Sequence, residues 1–132
     1  ALKVCEINKK NLNSNVQIIE LDLNSISEEN KKYDIIISNP PYLTPSEKNQ
    51  LDKNVRYETD IALFTPKDNP LHFYEKILDF ASINLTKKGI IYLEINPNFT
   101  KEFNQILTNY SINHVNFKDD FRGKKRLVKL MF

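Results

Sequence analysis

An α/β fold with a mainly parallel sheet and a C-terminal antiparallel hairpin is predicted by three features of this sequence. Two short runs, Tyr33-Asp34-Ile35-Ile36-Ile37-Ser38 and Ile90-Ile91-Tyr92-Leu93-Glu94-Ile95, rise without polar alternation. A strand apolar on both faces belongs inside a parallel sheet covered by helices. Segments at helical spacing follow each run, and strands alternating with helices define the α/β class. The chain then ends on two more strand-like runs, Ile112–Lys118 and Arg126–Phe132, joined through Asp119-Asp120-Phe121-Arg122-Gly123-Lys124 as in a hairpin.

The elements follow in order. Residues Ala1 to Leu12 are rich in helix formers and close at the turn signal Asn13-Ser14-Asn15. Val16 to Leu21 is short, apolar and β-branched, so it is expected as a strand, with Asp22 at its end. Asn24 to Lys32 is polar, a loop or a short helix. The strand Tyr33–Ser38 stops at Asn39-Pro40-Pro41-Tyr42, because neither proline can donate to a sheet ladder. Leu43 to Asn69 has no strong periodicity, and a connection that long inside a compact domain is usually functional. Asn69-Pro70 reads as a helix start, with asparagine as cap and proline at the first helical position. Leu71, Tyr74, Leu78, Ala81 and Leu85 form the apolar stripe of that helix. Gly89 is expected as a helix C-terminal signal ahead of the strand Ile90–Ile95. Phe99, Phe103, Ile106, Leu107 and Tyr110 mark another helix before the terminal hairpin. There are no repeats and no linker, so residues 1–132 read as one domain.

Composition narrows the function classes. At 132 residues, 40% hydrophobic and 27% charged, the chain is long enough for a modest core and is not disordered. A net charge of +2 is too small for a protein that holds nucleic acid mainly through phosphates, and most of its lysines are scattered between elements. Only Lys124, Lys125, Arg126 and Lys129 cluster, on the hairpin. A single cysteine excludes an internal disulfide and points to the cytoplasm. Cys5 lies among apolar neighbours and is expected to be buried and unreactive. His72 and His114 lack partners at ligand spacing, so no metal site is expected. No apolar run approaches membrane-spanning length, and Ala1-Leu2-Lys3-Val4-Cys5 reads as interior sequence rather than a leader.

The chemistry concentrates at Asn39-Pro40-Pro41-Tyr42. In α/β sheets, ligands bind beyond the C-terminal ends of the strands. The asparagine offers a side-chain carbonyl, and Pro40 a backbone carbonyl, on a segment that two prolines hold extended. Together these oxygens can accept both hydrogens of a planar –NH2 group. Holding both hydrogens turns a weakly nucleophilic nitrogen toward an electrophile and favours the positive charge that develops on it. Tyr42 adds an aromatic face for stacking. The arrangement suits methylation of a planar amino nitrogen, in an amide or in an aromatic amine. The plainer alternative, a strand-ending turn, uses the same residue types; the wholly apolar strand ahead of it favours a site.

Tyr33-Asp34-Ile35-Ile36-Ile37-Ser38-Asn39-Pro40-Pro41-Tyr42 resembles motif IV of the class I amino-methyltransferases, whose sheet is Rossmann-like. Further on, Asn54-Val55-Arg56-Tyr57-Glu58, Ala62-Leu63-Phe64 and the stretch from Asp68 to Phe73-Tyr74 resemble the peptide-chain release factor N5-glutamine methyltransferases. Gly123-Lys124 followed by Arg126 resembles the closing hairpin of that family. The likeness covers essentially the whole chain. It implies S-adenosylmethionine as cofactor and a glutamine side-chain amide of a release factor as acceptor. Asn39, Pro40, Pro41 and Tyr42 would grip that amide, with Asn39, Pro40 and Tyr42 as the catalytic residues and Asn39 also near the donor methyl. Asp22 and Leu23 match positions bordering the donor's adenine, and Glu58 matches a position near the substrate pocket. A salt bridge or loop anchor is an equal reading of Glu58, and Glu94 is expected to cap the helix that follows it. Two positions depart from the family pattern: Thr59 stands where a proline is usual, and Asn69-Pro70 where a glycine is usual.

The family holds the donor's methionine end on a glycine-rich loop after its first strand and the ribose on an acidic residue after the second. Here the glycines are Gly89 and Gly123, both downstream and isolated. The resemblance therefore implies the C-terminal part of a single catalytic domain, lacking the first two strands of the sheet. Asn-Pro-Pro-Tyr by itself is shared with DNA adenine methyltransferases, so an enzyme acting on a flipped adenine is one alternative. An inactive α/β domain serving protein interaction is another.

Overall fold

A computed structural model of the chain describes residues 1–25, 31–50, 57–66 and 69–132. Asn54, Val55, Arg56 and Asp68, which carry part of the family resemblance, lie outside the described residues, as do residues 26–30 of the polar stretch after Asn24. Helices α1 (Leu2–Asn11), α2 (Asp60–Leu63), α3 (His72–Asn84) and α4 (Thr100–Ile106) accompany strands β1 (Tyr33–Ser38), β2 (Leu85–Glu94), β3 (His114–Asp119) and β4 (Lys125–Met131). The sheet runs β1-β2-β4-β3. β1 and β2 are parallel, while β2–β4 and β3–β4 are antiparallel. The α/β class and the C-terminal hairpin are thus present.

The core is built on one face of this sheet. Ile91, Leu93 and Ile95 alternate with more exposed neighbours, as the two-residue period of a strand requires. They meet Tyr74, Ile77, Leu78 and Ala81 of α3, Phe103 of α4, and Val128 and Leu130 of β4. Tyr74 and Phe103 sit edge to face with ring centroids 5.0 Å apart. The register Ile35↔Ile90 and Ile37↔Tyr92 puts these four side chains on the opposite face. There Ile35 is 55% and Ile37 76% exposed. The sequence pattern implied helices over both faces of β1; among the described residues only one face is covered.

Several local expectations are corrected. Val16–Leu21, expected as a strand, belongs to none, because a strand forms only where a neighbour completes its ladder. Cys5 is exposed rather than buried, since α1 buries none of its residues. Helix α3 begins at His72, so Pro70 lies in the turn ahead of it, where the Asn69 side chain accepts the Leu71 N–H at 3.0 Å. Gly89 is part of β2 and not a helix cap. The β1–β2 register advances two residues along β1, from Tyr33 to Ile35, against five along β2, from Leu85 to Ile90. At that irregularity, a Cβ on Gly89 would fall 2.9 Å from Leu85 Cβ and 3.0 Å from Thr86 O, so close approach and not backbone sign selects glycine. Gly123 is the converse case, with φ +72 in the hairpin turn. No helix among the described residues is long and apolar enough to cross a membrane.

Candidate acceptor site at the end of β1

Asn39-Pro40-Pro41-Tyr42 leaves β1 at its C-terminal end, and the chain then runs through Leu43 to a 3-10 turn, Pro45–Gln50. A parallel bridge between Leu43 and Phe64 pins the far side of this connection. There the Leu43 N–H donates to Leu63 O at 3.0 Å, and the Thr65 N–H to Leu43 O at 2.9 Å. This brings α2 beside the Pro-Pro segment. The result is a cavity of about 180 Å³ lined by Asn39, Pro40, Pro41, Tyr42, Leu43, Glu58, Ala62 and Leu63. Glu58, nineteen positions beyond Asn39, therefore shares a pocket with all four residues of the motif. It is exposed, and its side chain makes no hydrogen bond with any described residue.

A second cavity, of about 540 Å³, lies against the first and shares Asn39, Pro40 and Pro41 with it. Its other walls include Leu21, Leu23, Ile61 and Phe73, together with Glu20 and Asp22. Asp22 accepts the Asn24 N–H at 2.9 Å, which shapes the Leu23–Ser25 turn. His72 at the start of α3 bonds Asn24 at 2.7 Å and holds that turn against the helix. Apolar walls beside carboxylate acceptors suit a nucleoside: the walls cover a planar base, and the carboxylates accept from hydroxyl or amino groups. Asp22, Leu23 and Asn39 thus line one cavity. Asn39 borders both cavities, and its side chain makes no hydrogen bond with any described residue.

The motif is held from the β2 side. The Tyr42 hydroxyl donates to Glu94 Oε1 at 2.7 Å. Burial, then this bond to Glu94 and its negative charge, push the hydroxyl pKa up to about 12, with Arg126 pulling the other way. With the hydroxyl so engaged, the ring is what Tyr42 has left to offer the pocket. Glu94 consequently does not cap the next helix. The side chain of Asn96 does, accepting the Asn98 N–H at 3.0 Å. Asn96 also donates from Nδ2 to the Tyr42 carbonyl at 3.1 Å, while its backbone N–H donates to the Tyr74 hydroxyl at 3.2 Å. Arg126 of β4 lies 3.7 Å from Asp120, which also accepts the Arg122 and Lys124 N–H groups of the hairpin turn.

Glu47 was not singled out from the sequence. Its carboxylate accepts the Thr44 N–H at 2.8 Å, the Thr44 hydroxyl at 2.9 Å and the Asn98 side-chain amide at 2.9 Å. The Asn96 side-chain amide adds contacts at 3.2 and 3.3 Å. Partial burial pushes this carboxyl up, but the bonds from Thr44, Asn96 and Asn98 outweigh it and hold the pKa below the ordinary value. A readable signal existed: Thr44-Pro45-Ser46-Glu47 matches a capping box with proline at the first helical position.

Comparison with known proteins agrees with the motif. Residues 3–125 match the family model described as Eco57I restriction-modification methylase. The chain is 37% identical over 118 residues to a release factor glutamine methyltransferase of Flavobacterium psychrophilum, covering 89% of this chain and 41% of that protein. Against the Bacteroides thetaiotaomicron protein of the same name, identity is 32% over 130 residues, covering 97% of this chain and 47% of that protein. A bifunctional methyltransferase of Rickettsia typhi is 35% identical over 134 residues, covering 98% of this chain and 25% of that protein. The chain thus spans less than half the length of these relatives. It belongs to the methyltransferase family that the matched model describes, and within it is similar over nearly its whole length to release factor glutamine methyltransferases.

Proposed function

We propose that the protein containing this chain transfers a methyl group from S-adenosylmethionine to the side-chain amide nitrogen of a glutamine in a peptide-chain release factor. In this reading residues 1–132 are the C-terminal part of its catalytic domain. The observation that carries the proposal is Asn39, whose side-chain carbonyl no described residue engages, at the junction of two cavities. One is lined by its own motif and Glu58, the other by Asp22 and Leu23.

S-adenosylmethionine, when bound, supplies an electrophilic methyl group on a positively charged sulfur. Asp22 and Leu23 would border its adenine, and Asn39 would lie nearest the reacting end. Asn39 Oδ1 and the Pro40 carbonyl accept the two hydrogens of the acceptor amide and hold its plane. That fixes where the nitrogen lone pair points and stabilises the charge it gains. Tyr42 stacks on the amide, and Glu58 accepts from the substrate backbone or side chain at the pocket rim. The surplus proton leaves to water after transfer, so no strong base is required.

A nucleic-acid amino-methyltransferase is the second reading, favoured by the description of the matched family model. Charge argues against it. Glu58 lines the smaller cavity, and Glu20 and Asp22 the larger, so the site's own rim would repel phosphates. The test offers the encoded protein a release factor and, separately, adenine-containing single- and double-stranded DNA, with radiolabelled methyl donor. Label on a release factor glutamine, lost when that glutamine is changed to alanine, is the expected result. Label on adenine with none on the release factor would replace the first reading by the second.

A further inference from the structure

We propose that Glu47 is a positioning residue for the acceptor loop, acting through Asn96 to fix the Tyr42 end of the Asn39–Tyr42 segment. This inference rests on the function proposed above, since it concerns the same site.

The segment has a holding problem of its own making. Two consecutive prolines stiffen it but contribute no N–H groups, so its middle can only accept hydrogen bonds, and no described residue donates one to Pro40 or Pro41. Its anchoring therefore falls on Tyr42, at two points: the hydroxyl on Glu94 and the carbonyl on Asn96. The second point is only as firm as the Asn96 side chain, which is buried, at 4% exposure. Its amide has two hydrogens. One goes to the Tyr42 carbonyl, and the other is shared between the two oxygens of Glu47. Glu47, together with the Asn98 N–H that Asn96 Oδ1 accepts at 3.0 Å, thus sets the rotation of the amide that holds Tyr42.

The same carboxylate also fixes the loop's exit. Through the Thr44 N–H and hydroxyl it grips the residue two positions beyond Tyr42, and through Asn98 it grips the chain leaving β2. A capping residue needs the first of these bonds alone. The contacts to Asn96 and Asn98 exceed that requirement and cross from the 3-10 turn to the end of β2. Hydrogen bonds from these partners keep the group ionised against partial burial, so it accepts from all of them at once. Without Glu47, one hydrogen of a buried amide loses its partner, and the Asn96 side chain is held against Tyr42 by the Asn98 N–H alone.

The test measures kcat and KM for the acceptor, donor affinity and Tm in the encoded protein, for Glu47→Ala, Glu47→Gln, Asn96→Ala, the double variant Glu47→Ala/Asn96→Ala, and Asn39→Ala. Glu47→Ala is expected to lower kcat/KM by about ten- to a hundredfold, as small misplacements of reacting groups do, with donor affinity within about twofold. Glu47→Gln should fall between it and the unaltered protein. The double variant should be no worse than Asn96→Ala beyond about twofold, since both changes break one link. If Glu47→Ala does not fold, Glu47→Gln decides alone. A lowered Tm with kcat/KM unchanged would overturn the inference and leave Glu47 a plain loop anchor; with Asn39→Ala inactive in the same series, the functional reading would stand. Full activity in Asn39→Ala would instead remove that reading itself.

Discussion

β1 and β2 lie side by side, are nearly equally apolar, and were expected to be equally buried; the molecule treats them differently. β2 has β1 on one side, β4 on the other and helices over its inner face, so Ile91 and Leu93 are almost wholly covered. Among the described residues β1 has one sheet neighbour, and its outer face leaves Ile35 and Ile37 exposed. An apolar strand states what burial it needs, and only its neighbours supply it. The division extends to the site. β1 delivers the acceptor segment, while the end of β2, through Glu94 and Asn96, holds that segment in place.

The largest expected effect is in the covered strand. Leu93→Ala should cost about 2–5 kcal/mol of stability by leaving a cavity, read by denaturant unfolding. Tyr42→Phe comes next, at about 1–3 kcal/mol, because Glu94 loses its donor while partly buried. The ring is kept, so methyl transfer should survive better than in Tyr42→Ala. Equal activity losses from the two changes would mean that the hydroxyl, not the ring, serves the substrate. Ile37→Ala should change the stability of this 132-residue chain by within about 0.5 kcal/mol. A loss as large as that of Leu93→Ala would show β1 to be as buried as β2 and would end the comparison.

The smallest effect is in the pH dependence. Glu47 has its pKa lowered in the folded state, so its contribution to stability is present above the ordinary value of 4.5 and is lost as pH falls through the folded value. Glu47→Gln should flatten that acid limb of the stability curve. Tyr42 has the opposite sign. Its pKa is raised, so its contribution is complete below the ordinary value of 10.0 and is lost only as pH rises through about 12. Thermal melts between pH 3 and pH 10 should therefore respond to Glu47→Gln on the acid side, with no alkaline loss traceable to Tyr42.

Much of this was legible because the relevant signals are local. Prolines cannot join a ladder, so the end of β1 and the start of the site followed from Pro40 and Pro41 directly. The apolar runs gave β1 and β2, and turn chemistry around Gly123 gave the hairpin. What escaped depended on distant partners. Val16–Leu21 has strand composition, but no sequence pattern reports whether another strand will lie beside it. Gly89 looked like a helix terminator because its crowding against Leu85 and Thr86 exists only once the β1–β2 irregularity has formed. Glu94 was assigned to the nearest helix end, whereas its partner is Tyr42, fifty-two positions earlier. The capping-box spacing of Glu47 is visible in the sequence; its bonds to Asn96 and Asn98, which give it weight, are not.

The central claim is that Asn39 orients the acceptor nitrogen and is not chiefly a donor-binding residue. It is tested most directly by comparing Asn39→Ala with the unaltered encoded protein in two measurements on one preparation: single-turnover methyl transfer to the release factor, and equilibrium binding of S-adenosylmethionine. Near-complete loss of transfer, with donor affinity changed by only a modest factor, is the predicted result. A variant that retains most of its transfer rate, or that loses transfer only because it no longer binds the donor, would contradict the claim.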